Sequence, residues 1–181
     1  MKFTETKLNG SFIIDLDVFS DERGWFARTY CKKEFKNIGH DKEWVQLNHS
    51  YSAKKGTIRG MHFQLMEHKE IKLVRCIAGA VYDVIVDIRK NSPTFMQWIA
   101  VELSAANKKM IYIPEGFAHG FQTLTDGAEL IYHHSNFYNS EYERGIMFND
   151  EKPGIHWPLK ETGMSARDKS HPFIDKDFQG I

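Results

Sequence analysis

Ile71–Ile88 reads IKLVRCIAGAVYDVIVDI, two short runs rich in β-branched residues that meet at Gly79. Runs of this length bounded by a turn residue predict strands, because branched side chains suit a pleated, half-buried surface. Working outward, the signature recurs as SFIIDLDVF (11–19), GTIRGMHFQL (56–65), WIAVELS (98–104), KMIYIPEG (109–116), FQTLT (121–125) and AELIYHH (128–134). Many short strands separated by turn signals predict an all-β sandwich or barrel. Asn9-Gly10 and Asp126-Gly127 lie between apolar runs and suit tight hairpin turns, whose two central residues need positive φ.

Helical periodicity is weak, and only Lys32 to Ile38 and Ser165 to Lys169 are expected to form a turn or two. From Asn139 onward the chain is polar and loop-rich, with Phe148, Trp157 and Phe173 expected to pin it onto the barrel as a covering layer. Residues 1–181 are therefore read as one domain, long enough to bury a core without disulfides or structural metal.

The 24 basic and 24 acidic residues cancel, and no long Lys/Arg run occurs, so a nucleic-acid binder is not expected. An anionic ligand must then be held by a few placed cations. Two cysteines, Cys31 and Cys76, fit a reducing compartment better than a disulfide scaffold, which points to the cytoplasm. The first residues, MKFTETKLNG, lack the apolar core of a signal peptide. No apolar run approaches the roughly 18 residues needed to cross a bilayer, so neither secretion nor membrane insertion is expected.

Within GTIRGMHFQ (56–64), His62 is an imidazole among apolar neighbours, either a hydrogen-bonded core residue or a general base. If IKLVRC is a strand, alternation puts Lys72 on one face with Val74 and Cys76, where an ammonium group is costly unless it serves an anion or a carboxylate. The bland alternative is a lysine at the barrel mouth with its head in water. In IPEGFAHGF (113–121), His119 is a possible metal ligand alongside His62. A two-histidine site needs a close second imidazole and a carboxylate, however, and Gln64 stands two residues after His62 instead; no metal is expected. Tyr132 reads as core by default, or as a neutral acid beside a pocket. Arg167-Asp168 is ordinarily a solvated pair, but Asp168 folded back onto His62 would fix its tautomer and raise its basicity.

These motifs, with DERGWF (21–26), QLNHSYS (46–52), YIPEGFAHGFQTL (112–124), ERGIMFND (143–150), GIHWP (154–158) and SARD (165–168), resemble the dTDP-4-dehydrorhamnose 3,5-epimerase family of the cupin superfamily from about Asp21 to Pro172. The resemblance implies a jelly-roll β-barrel working as a homodimer without metal or cofactor on a nucleotide-diphosphate sugar. It implies His62 as the base with Asp168 behind it, Lys72 at the enolate oxygen and Tyr132 as the acid on the opposite face. Tyr138 would stack on the nucleotide base, and Arg23, Arg59, Arg167, Gln46, Asn48, His119 and Glu143 would contact substrate. Arginine suits a diphosphate because its fork donates paired, charge-assisted hydrogen bonds. Part of this shell is expected from a partner copy. Arg28 stands where rhamnose-pathway members tend to carry a substrate-contacting Glu, and His133 where many carry Lys. Both positions bear on the choice of dTDP or CDP and on inversion at C3, C5 or both.

Overall fold

A computed structural model describes all residues, Met1–Ile181. Thirteen strands run in chain order: β1 (Lys2–Glu5), β2 (Phe12–Asp15), β3 (Val18–Asp21), β4 (Gly24–Ala27), β5 (Gln46–Ser52), β6 (Ile58–Gln64), β7 (Lys72–Ala78), β8 (Ala80–Asp87), β9 (Trp98–Ser104), β10 (Met110–Ile113), β11 (Phe117–Thr123), β12 (Ala128–His134) and β13 (Glu143–Gly145). They build a six-stranded sheet in the order β1-β2-β10-β7-β12-β5, a five-stranded sheet in the order β13-β6-β11-β8-β9, and the separate β3–β4 hairpin. All the strand pairings are antiparallel, and the chain crosses repeatedly between the two large sheets, which is a jelly roll.

The quoted stretch from Ile71 to Ile88 explains the architecture. At Gly79 (φ +67°) the chain steps from β7 in one sheet to β8 in the other. Alternate residues of both then meet in one core, where Val74, Cys76 and Leu130 pack against Val81, Ile85 and Phe121. Burying side chains of this size stabilises by about 1.5–3 kcal/mol each.

The outer faces are covered differently. The short helix α1 (Lys32–Phe35), continued by a 3-10 turn at Lys36–Ile38, lays Phe35 on the six-stranded sheet beside Ile14, Leu73 and Met110. The C-terminal segment covers the five-stranded sheet, with Ile155, Trp157, Ile174 and Phe178 packing on Met61, Val84 and Val86.

Three local expectations are corrected. Asp126-Gly127 joins strands of different sheets and makes no hairpin, because β11 and β12 never pair. Asn9-Gly10 does connect the paired β1 and β2, but within the longer loop Thr6–Ser11. Phe173 is 60% exposed and pins nothing. Trp157 does tie the tail down, packing on the five-stranded sheet with its ring 6.5 Å from that of Tyr82 on β8. The Ser165–Lys169 helical turn appears as a 3-10 turn at Asp168–Ser170.

Candidate active site

A cleft of roughly 400 Å³ opens between the two sheets. One wall carries Arg59 and His62 from β6 and His119 from β11; the other carries Lys72 from β7 and Tyr132 and His134 from β12.

Strict alternation would send Arg59 and His62 to opposite faces of β6. The register prevents it: His62 pairs with His119, yet Arg59 pairs with Phe121, so β6 carries one residue more than β11 over this span. A bulge of this kind re-aims side chains next to a site. Gly60 makes room for it, since its φ is +115° and a Cβ there would lie 2.6 Å from the Gly120 Cα. Arg59 then donates to the Tyr51 carbonyl at 2.8 Å and to Ser52 Oγ at 3.0 Å.

Asp168 reaches His62 across the fold. His62 Nε2–H donates to Asp168 Oδ1 at 2.8 Å, and the Gly60 amide donates to Oδ2 at 3.2 Å. Burial alone would raise the Asp168 pKa, but the hydrogen bond and charge of His62 outweigh it and hold the carboxyl at about 2. With its Nε2 proton fixed on a carboxylate, His62 keeps its lone pair on Nδ1.

Lys72 shares the inner face with Val74 and Cys76, and its ammonium lies 3.2 Å from Glu70. Glu70 in turn accepts from His134 Nδ1–H at 2.6 Å, and His134 Nε2 accepts from Asn48 at 3.3 Å. Burial pushes the Glu70 pKa up, but Lys72 and His134 outweigh it and keep the carboxyl below its usual range. The ammonium group is thus anchored by one carboxylate, leaving donors for a ligand oxygen.

Tyr132 bonds Ser50 Oγ at 2.9 Å. Desolvation pushes its phenol above the usual range, against a smaller pull from Ser50, so it is fully protonated at neutral pH. His119 Nε2 lies 3.0 Å from buried Asp83. At the cleft mouth, Glu143 accepts from Tyr138 at 2.9 Å and from Arg167 at 2.7 Å. Gln46 accepts from the Tyr138 amide at 3.1 Å and donates to Asn48 at 3.2 Å.

Three residues singled out in the sequence fall outside this cleft, His133 because it points to the outer face of the six-stranded sheet, with the Trp44 ring 5.9 Å away. Arg23 pairs with Asp21 at the tip of the β3–β4 hairpin, and Arg28 pairs with Glu34 at 2.8 Å, so within one chain neither joins the site. Glu70, Ser50, Asp83 and His171 were missed. Alternation on β7 flagged an ammonium in need of a carboxylate, and Glu70, two residues away, answers that need. His171 gave no signal, because it approaches His62 only through the fold. Its ring lies edge-on to His62 at 5.4 Å, and its Nε2 is 3.6 Å from Asp168 Oδ1. The expectation that His62 has no close second imidazole is therefore corrected: His62, Asp168 and His171 present three donor atoms within 4.8 Å of one another.

A family model described as dTDP-4-dehydrorhamnose 3,5-epimerase matches residues 5–176. The chain belongs to the dTDP-4-dehydrorhamnose 3,5-epimerase family. It is 46% identical over 180 residues to the dTDP-4-dehydrorhamnose 3,5-epimerase of Shigella flexneri, covering 98% of this chain and 99% of that one. The crystal structure of dTDP-4-dehydrorhamnose 3,5-epimerase from Bacillus anthracis with TDP and pyrophosphate bound superposes with a TM-score of 0.93 at 40% identity, over 96% of this chain and 99% of that chain. A dTDP-6-deoxy-D-glucose-3,5-epimerase from Legionella pneumophila, solved in complex with dTDP-4-keto-L-rhamnose, gives 0.92 at 36% identity, over 99% and 97%. As a member of this epimerase family, the chain is a carbohydrate isomerase with the family's cupin-like jelly roll. No helix is long and apolar enough to cross a membrane.

Proposed function

We propose that this chain, as one epimerase domain, converts dTDP-4-dehydro-6-deoxy-D-glucose to dTDP-4-dehydro-L-rhamnose by inverting C3 and C5. The observation that carries this reading is the placement of His62 and Tyr132 on strands of opposing sheets across one cleft. A proton next to a ketone is acidic only if the enolate is stabilised, so base and cation must act together.

His62 Nδ1 takes the C–H proton, and the electron pair moves onto the C4 oxygen as an enolate. Asp168 stabilises the imidazolium that forms. The Lys72 ammonium, steadied by Glu70, meets the enolate oxygen. Tyr132 then protonates the carbon from the other face, and this step inverts the centre; return of the proton from His62 would restore the original configuration. Arg59 and Arg167 suit the diphosphate, Gln46, Asn48, His119 and Glu143 the remaining polar groups, and Tyr138, half exposed at the mouth, the nucleotide base.

The chain works as a homodimer in the cytoplasm. Phe19 and Phe26 on the β3–β4 hairpin are 69% and 70% exposed, which supports a second copy covering them and taking up Arg23. Arg28 joins the substrate shell only through such an assembly.

Proton NMR of the product formed in heavy water tests the reading. Deuterium is expected at C3 and C5 of the dTDP-linked sugar. No incorporation from either the dTDP- or the CDP-linked substrate would sink the proposal, and label at one carbon only would narrow it to a monoepimerase. Tyr132→Phe is expected to keep exchange and lose inversion; equal loss of both would overturn the division of labour.

A further inference from the structure

We infer that His62, Asp168 and His171 form a site for a divalent transition-metal ion, and that the ion switches the base off by trapping the wrong tautomer of His62. Occupancy stands on the donor geometry alone; the loss of turnover rests on the proposed role of His62.

Two imidazoles and one carboxylate are a donor set that zinc and its neighbours accept. In a tetrahedral site, ligand distances of about 2.0–2.2 Å set the donors roughly 3.3–3.6 Å apart. Asp168 Oδ1 lies 2.8 Å from His62 Nε2 and 3.6 Å from His171 Nε2, so sub-ångström shifts would bring both edges to that spacing. Oδ2 is held by the Gly60 amide, which fixes the carboxylate with Oδ1 turned to both rings.

His171 is built into this place. Its side chain is 10% exposed, and its Nε2 is buried with no hydrogen-bond partner. Leaving such an atom unpaired is costly, and an ion seated against Asp168 and His62 would satisfy it. The ring occupies a niche left by Gly145, which pairs with His62 in register; a Cβ at Gly145 would lie 2.3 Å from His171 Nε2.

The consequence for His62 follows from counting protons. In the metal-free site Nε2 carries the proton and Nδ1 the lone pair. An ion on Nε2 moves that proton to Nδ1, with no net release, and the lone pair that would take the substrate proton is gone. Arg167 opposes entry, because its Nη2 lies 3.4 Å from His62 Nε2 and its Nε 3.6 Å from Asp168 Oδ1. Half exposed and tied to Glu143, it must swing outward before a cation can settle, so binding is weaker than in a structural zinc site.

The test uses the full chain. Zn²⁺ binding is followed by calorimetry, Co²⁺ binding by its visible ligand-field absorption, and substrate exchange in heavy water is measured in parallel. One ion per chain is expected, with exchange falling in step with occupancy and returning on chelation. His171→Asn, and His171→Phe, which refills the niche, should each weaken Zn²⁺ binding by at least about tenfold. Urea unfolding followed by circular dichroism should show that both variants keep the parent fold, so that lost affinity reads as a lost ligand. Absence of binding, or equal affinity in both variants, overturns the site. Binding that needs His171 yet leaves exchange intact overturns the switch. An enzyme showing no exchange even without metal would fail the epimerase reading instead, while the Zn²⁺ isotherms would still decide the site.

Discussion

Adjacent residues on β12, His133 and His134, point to opposite faces of the six-stranded sheet and meet opposite chemistry. On the inner face, His134 donates to Glu70 and accepts from Asn48. On the outer face, His133 has a buried Nδ1 with no partner and the Trp44 ring 5.9 Å away. Its neighbour in that layer, His40, stacks on Trp44 at 4.3 Å and leaves Nε2 unpaired. Both faces bury imidazoles, but neither His40 nor His133 has a carboxylate within hydrogen-bonding reach, and the charges of Asp41 and Glu43 only partly offset the desolvation of His40. Desolvation dominates the outer pair, holding both imidazoles below their usual pKa, whereas the inner-face histidines His62, His119 and His134 each have a carboxylate within 3.0 Å. Buried histidine is thus a packing element on one face and a chemical one on the other.

If that division holds, the largest effect comes from the inner face. His62→Asn should lower turnover by about 10²–10⁴-fold, as loss of a general base does. Its denaturation midpoint should fall as well, because buried Asp168 loses the partner that holds its carboxyl at about 2, and unchanged turnover would break the contrast. Next is Glu70→Gln, which leaves the Lys72 ammonium and His134 with a neutral partner. Loss of charged hydrogen bonds should destabilise by about 1.5–3 kcal/mol, read from urea unfolding, and lower turnover as well. Unchanged turnover would show that Lys72 needs no anchor.

The smallest effect is on the outer face and depends on pH. His40 and His133 have folded pKa values below the ordinary imidazole value of 6.5, so the unfolded chain takes up protons first as pH falls. Stability is therefore full above about pH 6.5 and declines below it. His40→Phe with His133→Phe should flatten that decline without altering turnover at neutral pH. A second loss belongs to Asp168 and Asp87, each held at about 2 against an ordinary 3.8, and sets in only between those values. The double variant should leave that second window in place. A profile unchanged between pH 7 and 5 would sink the assignment of the outer histidines.

What could be read from the sequence follows the same inside–outside logic. Apolar runs revealed β6 to β12, because burial on two sides demands them. β5 escaped notice as a strand, since its cleft-facing positions are Gln46, Asn48 and Ser50, selected for the site and not for the core. Lys72 and His62 stood out as polar residues in apolar strands, and Asp168 was a conjecture that the fold makes geometric at 2.8 Å. The bulge at Gly60, the Glu70 anchor and His171 depend on register and chain return, which spacing along the sequence does not encode. Arg23 and Arg28 carry no local signal of where the hairpin directs them.

Every strand of both large sheets ends by Gly145, yet the carboxylate that orients His62 arrives only with Asp168, 106 residues after its partner. During synthesis every strand is made before the base meets its orienting group. A protein truncated between Gly145 and Asp168 would lose the His62 partner together with the Ile174 and Phe178 cover of the five-stranded sheet, so lost activity and a loosened outer face would come as one event.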